Sequence, residues 1–105
     1  MAQFSVYRNP NPVSKGDTPF LLDVQSDLLE PLATTVVVPL QTASESEGRR
    51  LGTLTPAFDV AGVRYVMVTP QLAGILRKQV GERVADLTAH RDDILAALDM
   101  LITGI

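Results

Sequence analysis

Thr88-Ala89-His90-Arg91-Asp92-Asp93-Ile94-Leu95-Ala96-Ala97-Leu98-Asp99-Met100-Leu101-Ile102-Thr103-Gly104-Ile105 reads as an amphipathic helix with no polar tail behind it. Thr88 is placed to cap it, because a hydroxyl oxygen can accept from the amides that the first turn leaves unpaired. Asp92 and Asp93 stand near the positive end of the helix dipole, and Gly104 supplies the C-terminal stop. At about 3.6 residues per turn, Ile94, Leu95, Leu98, Leu101 and Ile102 share one stripe. Asp92, Ala96, Asp99, Met100 and Thr103 fall on the far side. One face is expected in the core and the other open to a partner. An ending this apolar is expected to be docked or used.

Upstream of the helix the pattern changes to alternation. Gln3 to Tyr7 places Phe4 and Val6 on one side, as a first strand does. Asn9-Pro10-Asn11-Pro12 through Gly16-Asp17-Thr18-Pro19 is dense in turn residues and predicts a long exposed hairpin loop. Phe20 to Gln25 alternates again, with Phe20, Leu22 and Val24 opposite Leu21, Asp23 and Gln25, so the two runs should pair as an antiparallel ribbon. After a turn at Ser26-Asp27 come Leu28 and Leu29, then Glu30-Pro31. Two adjacent leucines cannot both point inward from a regular strand, so at least one is expected to be exposed or covered by something else.

Thr34 to Leu40 is a β-branched run that should form a central strand ending at Pro39. Gln41 to Gly52 is polar and predicts a surface loop, with Arg49-Arg50 in it as solvated charges. Leu54 to Val60, a turn at Ala61-Gly62, and Val63 to Thr69 predict a second hairpin with Pro56 at an edge or bulge. Between Gln71 and Val80 two readings compete. Thr69-Pro70 suits a helix start, whereas Gly74 and the turn at Gly81 favour a strand, which is the reading adopted. The sum is a single domain, residues 1–105, mostly β with one C-terminal α-helix.

The composition narrows the function. A chain of 105 residues holds one core of modest size. With 46% hydrophobic residues and a mean hydropathy of +0.17, some apolar surface is expected to need a second subunit, hence a homodimer rather than a monomer. The formal net charge of −3 speaks against electrostatic nucleic-acid binding by the chain alone. The absence of cysteine removes disulfides, zinc thiolates and cysteine nucleophiles. No basic-plus-apolar leader and no apolar run near the ~20 residues of a membrane span occur, so a cytoplasmic protein is expected.

Catalytic material is scarce. The lone histidine, His90, beside Arg91, reads as a surface residue, and no nucleophile–base pair or metal cluster follows from spacing. Asp23 and Asp27, four apart in extended chain, would stand roughly 13 Å apart, too far for a shared carboxylate site. No glycine-rich phosphate loop is present. No cofactor and no metal are expected.

Four segments together resemble the CcdB toxins of type II toxin–antitoxin modules. They are Met1 to Tyr7, Leu22-Asp23-Val24-Gln25-Ser26-Asp27-Leu28-Leu29, Val36-Val37-Val38-Pro39-Leu40, and Val84-Ala85-Asp86-Leu87 through Thr103-Gly104-Ile105. The resemblance implies a small antiparallel SH3-like barrel of the CcdB/MazF type capped by the terminal helix. It implies a homodimeric, non-enzymatic toxin that seizes the A subunit of DNA gyrase, traps the enzyme on cleaved DNA, and is neutralised by a CcdA-like antitoxin. Gyrase contacts carry over to Leu28, Leu29, Asp99, Ile102, Thr103, Gly104 and Ile105, and antitoxin contacts to the loop carrying Arg8 and Lys15.

The chain departs from the family where the best-known members place phenylalanine and tryptophan before the final Gly-Ile. Ile102 and Thr103 stand there, and Asp99 replaces an asparagine one turn earlier. Buried aromatic anchors commonly carry ~2 kcal/mol or more of interface energy. A homologue that binds only antitoxin is therefore the alternative, followed by an endoribonuclease toxin of the same fold.

Overall fold

The computed structural model describes residues 2–43 and 52–104. Arg49-Arg50, most of the Gln41 to Gly52 loop, Met1 and Ile105 lie outside the described residues. Among those described, seven strands form one antiparallel sheet curled into a half-barrel: β1 (Ser5–Arg8), β2 (Phe20–Asp23), β3 (Thr34–Thr42), β4 (Ala57–Val60), β5 (Val63–Met67), β6 (Ala73–Leu76) and β7 (Arg83–Asp86). The order is β4-β5-β3-β2-β1-β7, with β6 also on β3. One α-helix, α1 (Arg91–Thr103), follows the last strand. The expected class, mostly β with a C-terminal helix on a CcdB/MazF-type half-barrel, is the class observed.

The first strand starts later than its alternation predicts. Phe4 has φ 68°, which side chains other than glycine seldom adopt, so Gln3 and Phe4 form a turn. Burial of the ring to 3% and two backbone bonds, from Phe4 N to Asp23 O and from Leu87 N to Phe4 O, hold it there. The first hairpin forms as expected, with Arg8 opposite Phe20. At Ala61 and Gly62, φ values of 52° and 81° give the two-residue turn that suits the right-handed twist of β4 and β5.

Pro39 does not end β3, which runs on to Thr42. On one side β3 pairs with β6 up to Val37 and with β5 from Leu40. Pro39 sits at that change of partner, where its carbonyl accepts from Val68 N and no partner strand requires an N–H. From Gln71 to Val80 both sequence signals appear in miniature. Thr69–Gln71 is a single 3-10 turn with the proline in its first residues, and the extended β6 follows.

The core lies between the sheet and α1. Leu22, Val38, Leu40, Met67 and Ile94 are each fully buried there, each worth about 1.5–3 kcal/mol of transfer free energy. The helix seats Ile94 and Ala97, one turn apart, against that core, and touches the turns at Gly52–Leu54 and Thr69–Gln71. Ile102 departs from the projected stripe: it is 75% exposed. Thr88 is not the helix cap either. It opens a 3-10 turn, Thr88–His90, and Asp86 Oδ1 accepts from its amide at 2.8 Å and its hydroxyl at 2.5 Å. A carboxylate is the stronger acceptor for a free amide. Asp92 and Asp93 occupy the first turn of α1, and Gly104 ends it with φ 77°, as the sequence indicates.

Candidate functional site

Part of the opposite face of the sheet is buried as well. Asp23, Thr35, Val37 and Gln41 alternate with the core residues and are all buried. The Asp23 carboxylate accepts from Thr35 Oγ1 at 2.8 Å and from Gln25 N at 3.2 Å. Burial pushes its pKa up, against the opposing pull of these two bonds and of the Arg77 charge. The alternation placed Asp23 opposite the core residues but gave no sign that this side too is covered. Asp27 does not share a site with it, since its Oδ1 is taken by Gln3 N at 2.7 Å.

Directly beyond Asp23 the chain leaves the core. Every residue from Ser26 to Thr34 is exposed, and a 3-10 turn at Asp27–Leu29, opened by a bond from Leu28 N to Ser26 Oγ, carries the two leucines outward. Leu28 is 90% exposed and Leu29 45%. The sequence expectation of at least one exposed leucine is met twice. Leu32 and Leu76 are exposed nearby in the fold, as Arg77, which follows Leu76, donates to the carbonyls of Leu29, Leu32 and Ala33. At the other candidate segment, Ile102, Thr103, Gly104 and Asp99 are all exposed. The Thr103 hydroxyl donates to Asp99 O at 2.7 Å, a bond internal to the helix. Ile105 lies outside the described residues.

Arg8 and Lys15 come together at the base of the first hairpin loop, where both line a shallow groove with Pro10, Pro19 and Gly81. Arg8 Nε pairs with Glu82 at 2.7 Å; both side chains are more than half exposed, so the pair adds little stability. Gly81 is required here, since a Cβ on it would stand 2.9 Å from both the Cβ and the carbonyl oxygen of Arg8.

A second groove, about 580 Å³, lies between this loop and β6. Asn9, Asn11, Ser14, Thr18, Gln71 and Gln79 supply its polar groups and Leu21, Val37, Pro39, Ala73 and Ile75 its apolar ones; among the described residues, no side chain lining it is ionisable. General acid–base proton transfer draws on ionisable side chains, and none is among these described residues. Among the described residues no cluster of His, Asp or Glu could hold a metal, and no helix is long and apolar enough to cross a membrane. His90 stacks at 44° on the buried Phe58, ring centroids 4.8 Å apart, which gives it a packing role.

A family model described as "CcdB protein" matches residues 3–104. The chain belongs to the CcdB family of toxins. Two solved structures share its fold at low identity. One, an endoribonuclease in complex with its cognate antitoxin from a mycobacterial species, has a TM-score of 0.77 at 18% identity, covering 97% of this chain and 94% of that one. The other, an endoribonuclease from a mycobacterial species, has a TM-score of 0.76 at 17% identity, covering 97% and 90%. At such identities the likeness is one of fold.

Proposed function

We propose that this CcdB-family protein acts in the cytoplasm as a homodimeric gyrase poison. It binds the A subunit of DNA gyrase, traps the enzyme on cleaved DNA, and is neutralised by a CcdA-like antitoxin. The observation that carries this reading is the exposure of Leu28, Leu29 and Ile102, three aliphatic side chains the fold leaves in water at the positions where the family's gyrase contacts fall. Bare aliphatics of this size are the raw material of an interface, since burying each gains about 1.5–3 kcal/mol. Action is stoichiometric: a dimer presents two C-terminal helices side by side, with Asp99, Thr103, Gly104 and Ile105 beside Ile102, and these enter the space between gyrase A subunits.

Antitoxin contacts fall on Arg8 and Lys15, whose positive charges face the same groove and suit an acidic, disordered segment. Binding poison rather than enzyme is the reading favoured by the neutral groove. The mycobacterial neighbours named as endoribonucleases keep the enzymatic reading in view, and incubation with RNA separates the two. A gyrase poison leaves RNA intact and makes purified gyrase accumulate cleaved DNA. RNA cleavage without gyrase-dependent DNA breaks would replace this reading with the enzymatic one. A specific feature favours the second reading, a non-poisoning homologue that binds only antitoxin. Thr103 stands where the best-known members place an aromatic anchor, and its hydroxyl is spent within the helix. Unarrested growth on expression without antitoxin would establish that version.

A further inference from the structure

The turn that presents Leu28 and Leu29 has no foundation in the core. Every residue from Ser26 to Thr34 is exposed, Leu29 and Leu32 only by about half, so its shape rests largely on hydrogen bonds. Within the turn these are short-range: Leu29 N to Ser26 O, Glu30 N to Asp27 O and Leu32 N to Leu29 O. Isolated 3-10 turns held in this way are poorly stable in water. Gln3 N ties its start through Asp27 Oδ1 at 2.7 Å, and its far end needs a second tie.

We infer that Arg77 is a positioning residue for the partner-binding surface, clamping the leucine turn from the end of the neighbouring strand β6. Arg77 follows β6 directly. Its backbone N donates to Ala33 O at 2.9 Å, its Nε to Leu32 O at 2.7 Å and its Nη2 to Leu29 O at 3.2 Å. One residue thus gathers three carbonyls of the turn across 44 to 48 positions of sequence. The planar guanidinium suits this task because its donors leave in fixed, divergent directions, so two carbonyls set the orientation of the whole group. A lysine carries the same charge on a flexible stem and cannot fix two carbonyls in one geometry. Leu29 O accepts from both Arg77 Nη2 and the Leu32 amide, so the clamp and the internal ladder of the turn meet at one atom. Any partner that reads Leu28 and Leu29 binds a surface preorganised by Arg77, and loosening the clamp makes the partner order that surface at its own expense.

The functional half of this inference rests on the gyrase reading, and the experiment separates the two. Backbone ¹⁵N relaxation of the full chain would compare wild type with Arg77→Gln, Arg77→Lys and Lys78→Ala. The last variant removes the same charge one residue along and leaves the clamp in place. Wild type and Lys78→Ala should give order parameters of about 0.85 at Leu28 to Leu32, whereas Arg77→Gln should fall below about 0.6 there and nowhere else. Arg77→Lys should lie between. In titrations with the dimerisation fragment of gyrase A, Arg77→Gln should bind about tenfold more weakly than wild type and Lys78→Ala equally well. Unchanged order parameters in Arg77→Gln would overturn the inference whatever the partner. A loosened turn that binds the fragment as tightly as wild type would overturn its functional half. Failure of the wild type itself to bind would sink the gyrase reading, while the relaxation data still decide what Arg77 does.

Discussion

Two exposed connections carry Lys15, Leu28 and Leu29 among the candidate contacts, and they are held by opposite means. The loop from Asn9 to Pro19 keeps its anchor inside itself. The nearly buried Asn9 side chain donates to Ser14 Oγ and Thr18 O and accepts from Asn11 N, while Asn11 accepts from Val13 N. The turn from Ser26 to Ala33 borrows its anchors from Gln3 and Arg77, far away in sequence. The first can be substituted at its tip without consequence for its base. The second depends on residues outside the turn itself.

The largest expected effect breaks the self-contained loop. Asn9→Ala leaves a buried carbonyl and an amide without partners, and should lower unfolding free energy by about 2–3 kcal/mol in urea titrations. It should leave the mobility of Leu28 and Leu29 untouched. Gly81→Ala comes next. Its new Cβ meets the backbone of Arg8 at the loop's base, and the resulting strain should cost about 2 kcal/mol by the same measurement, with Arg8 displaced.

The pH dependence sharpens the other side of the comparison, because Asp23 lies at the base of the leucine turn. Its folded pKa is raised, so the folded state holds the proton more tightly than the unfolded chain does. This group's stabilising contribution is complete below the ordinary value of 3.8 and is lost as pH rises through the raised folded value. Asp86 runs the other way. The two bonds from Thr88 hold its pKa down, so its contribution is present above 3.8 and lost as pH falls through the lowered value. Unfolding titrations across this range should show Asp23→Asn removing the component that declines with rising pH, and Asp86→Asn removing the component that declines in acid. The smallest effect on stability belongs to Leu28→Asp. Leu28 is almost wholly in water, so the change should stay within about 0.5 kcal/mol of wild type while removing partner binding.

The same contrast explains what could be read from the sequence. The first hairpin, the Ala61-Gly62 turn, the Gly104 stop and the awkward pairing of Leu28 with Leu29 all have causes within a few residues, and all appear as expected. The starts and stops that differ have causes elsewhere in the chain. Phe4 is turned by backbone bonds to Asp23 and Leu87, and Pro39 is tolerated because β3 changes partner there. The burial of Asp23 and the clamp by Arg77 belong to this second kind. Alternation assigns Asp23 a face but not a cover, and nothing local to Arg77 shows that its guanidinium meets two carbonyls in another turn.

The most direct test of the central claim is calorimetric titration of the purified protein into the dimerisation fragment of its host's gyrase A subunit, repeated with Leu28→Asp and with a Gly104 substitution. The account predicts one toxin dimer bound per fragment dimer, with binding lost in both variants while their thermal unfolding matches wild type. No heat at any reachable concentration, or undiminished binding by the folded variants, would contradict it.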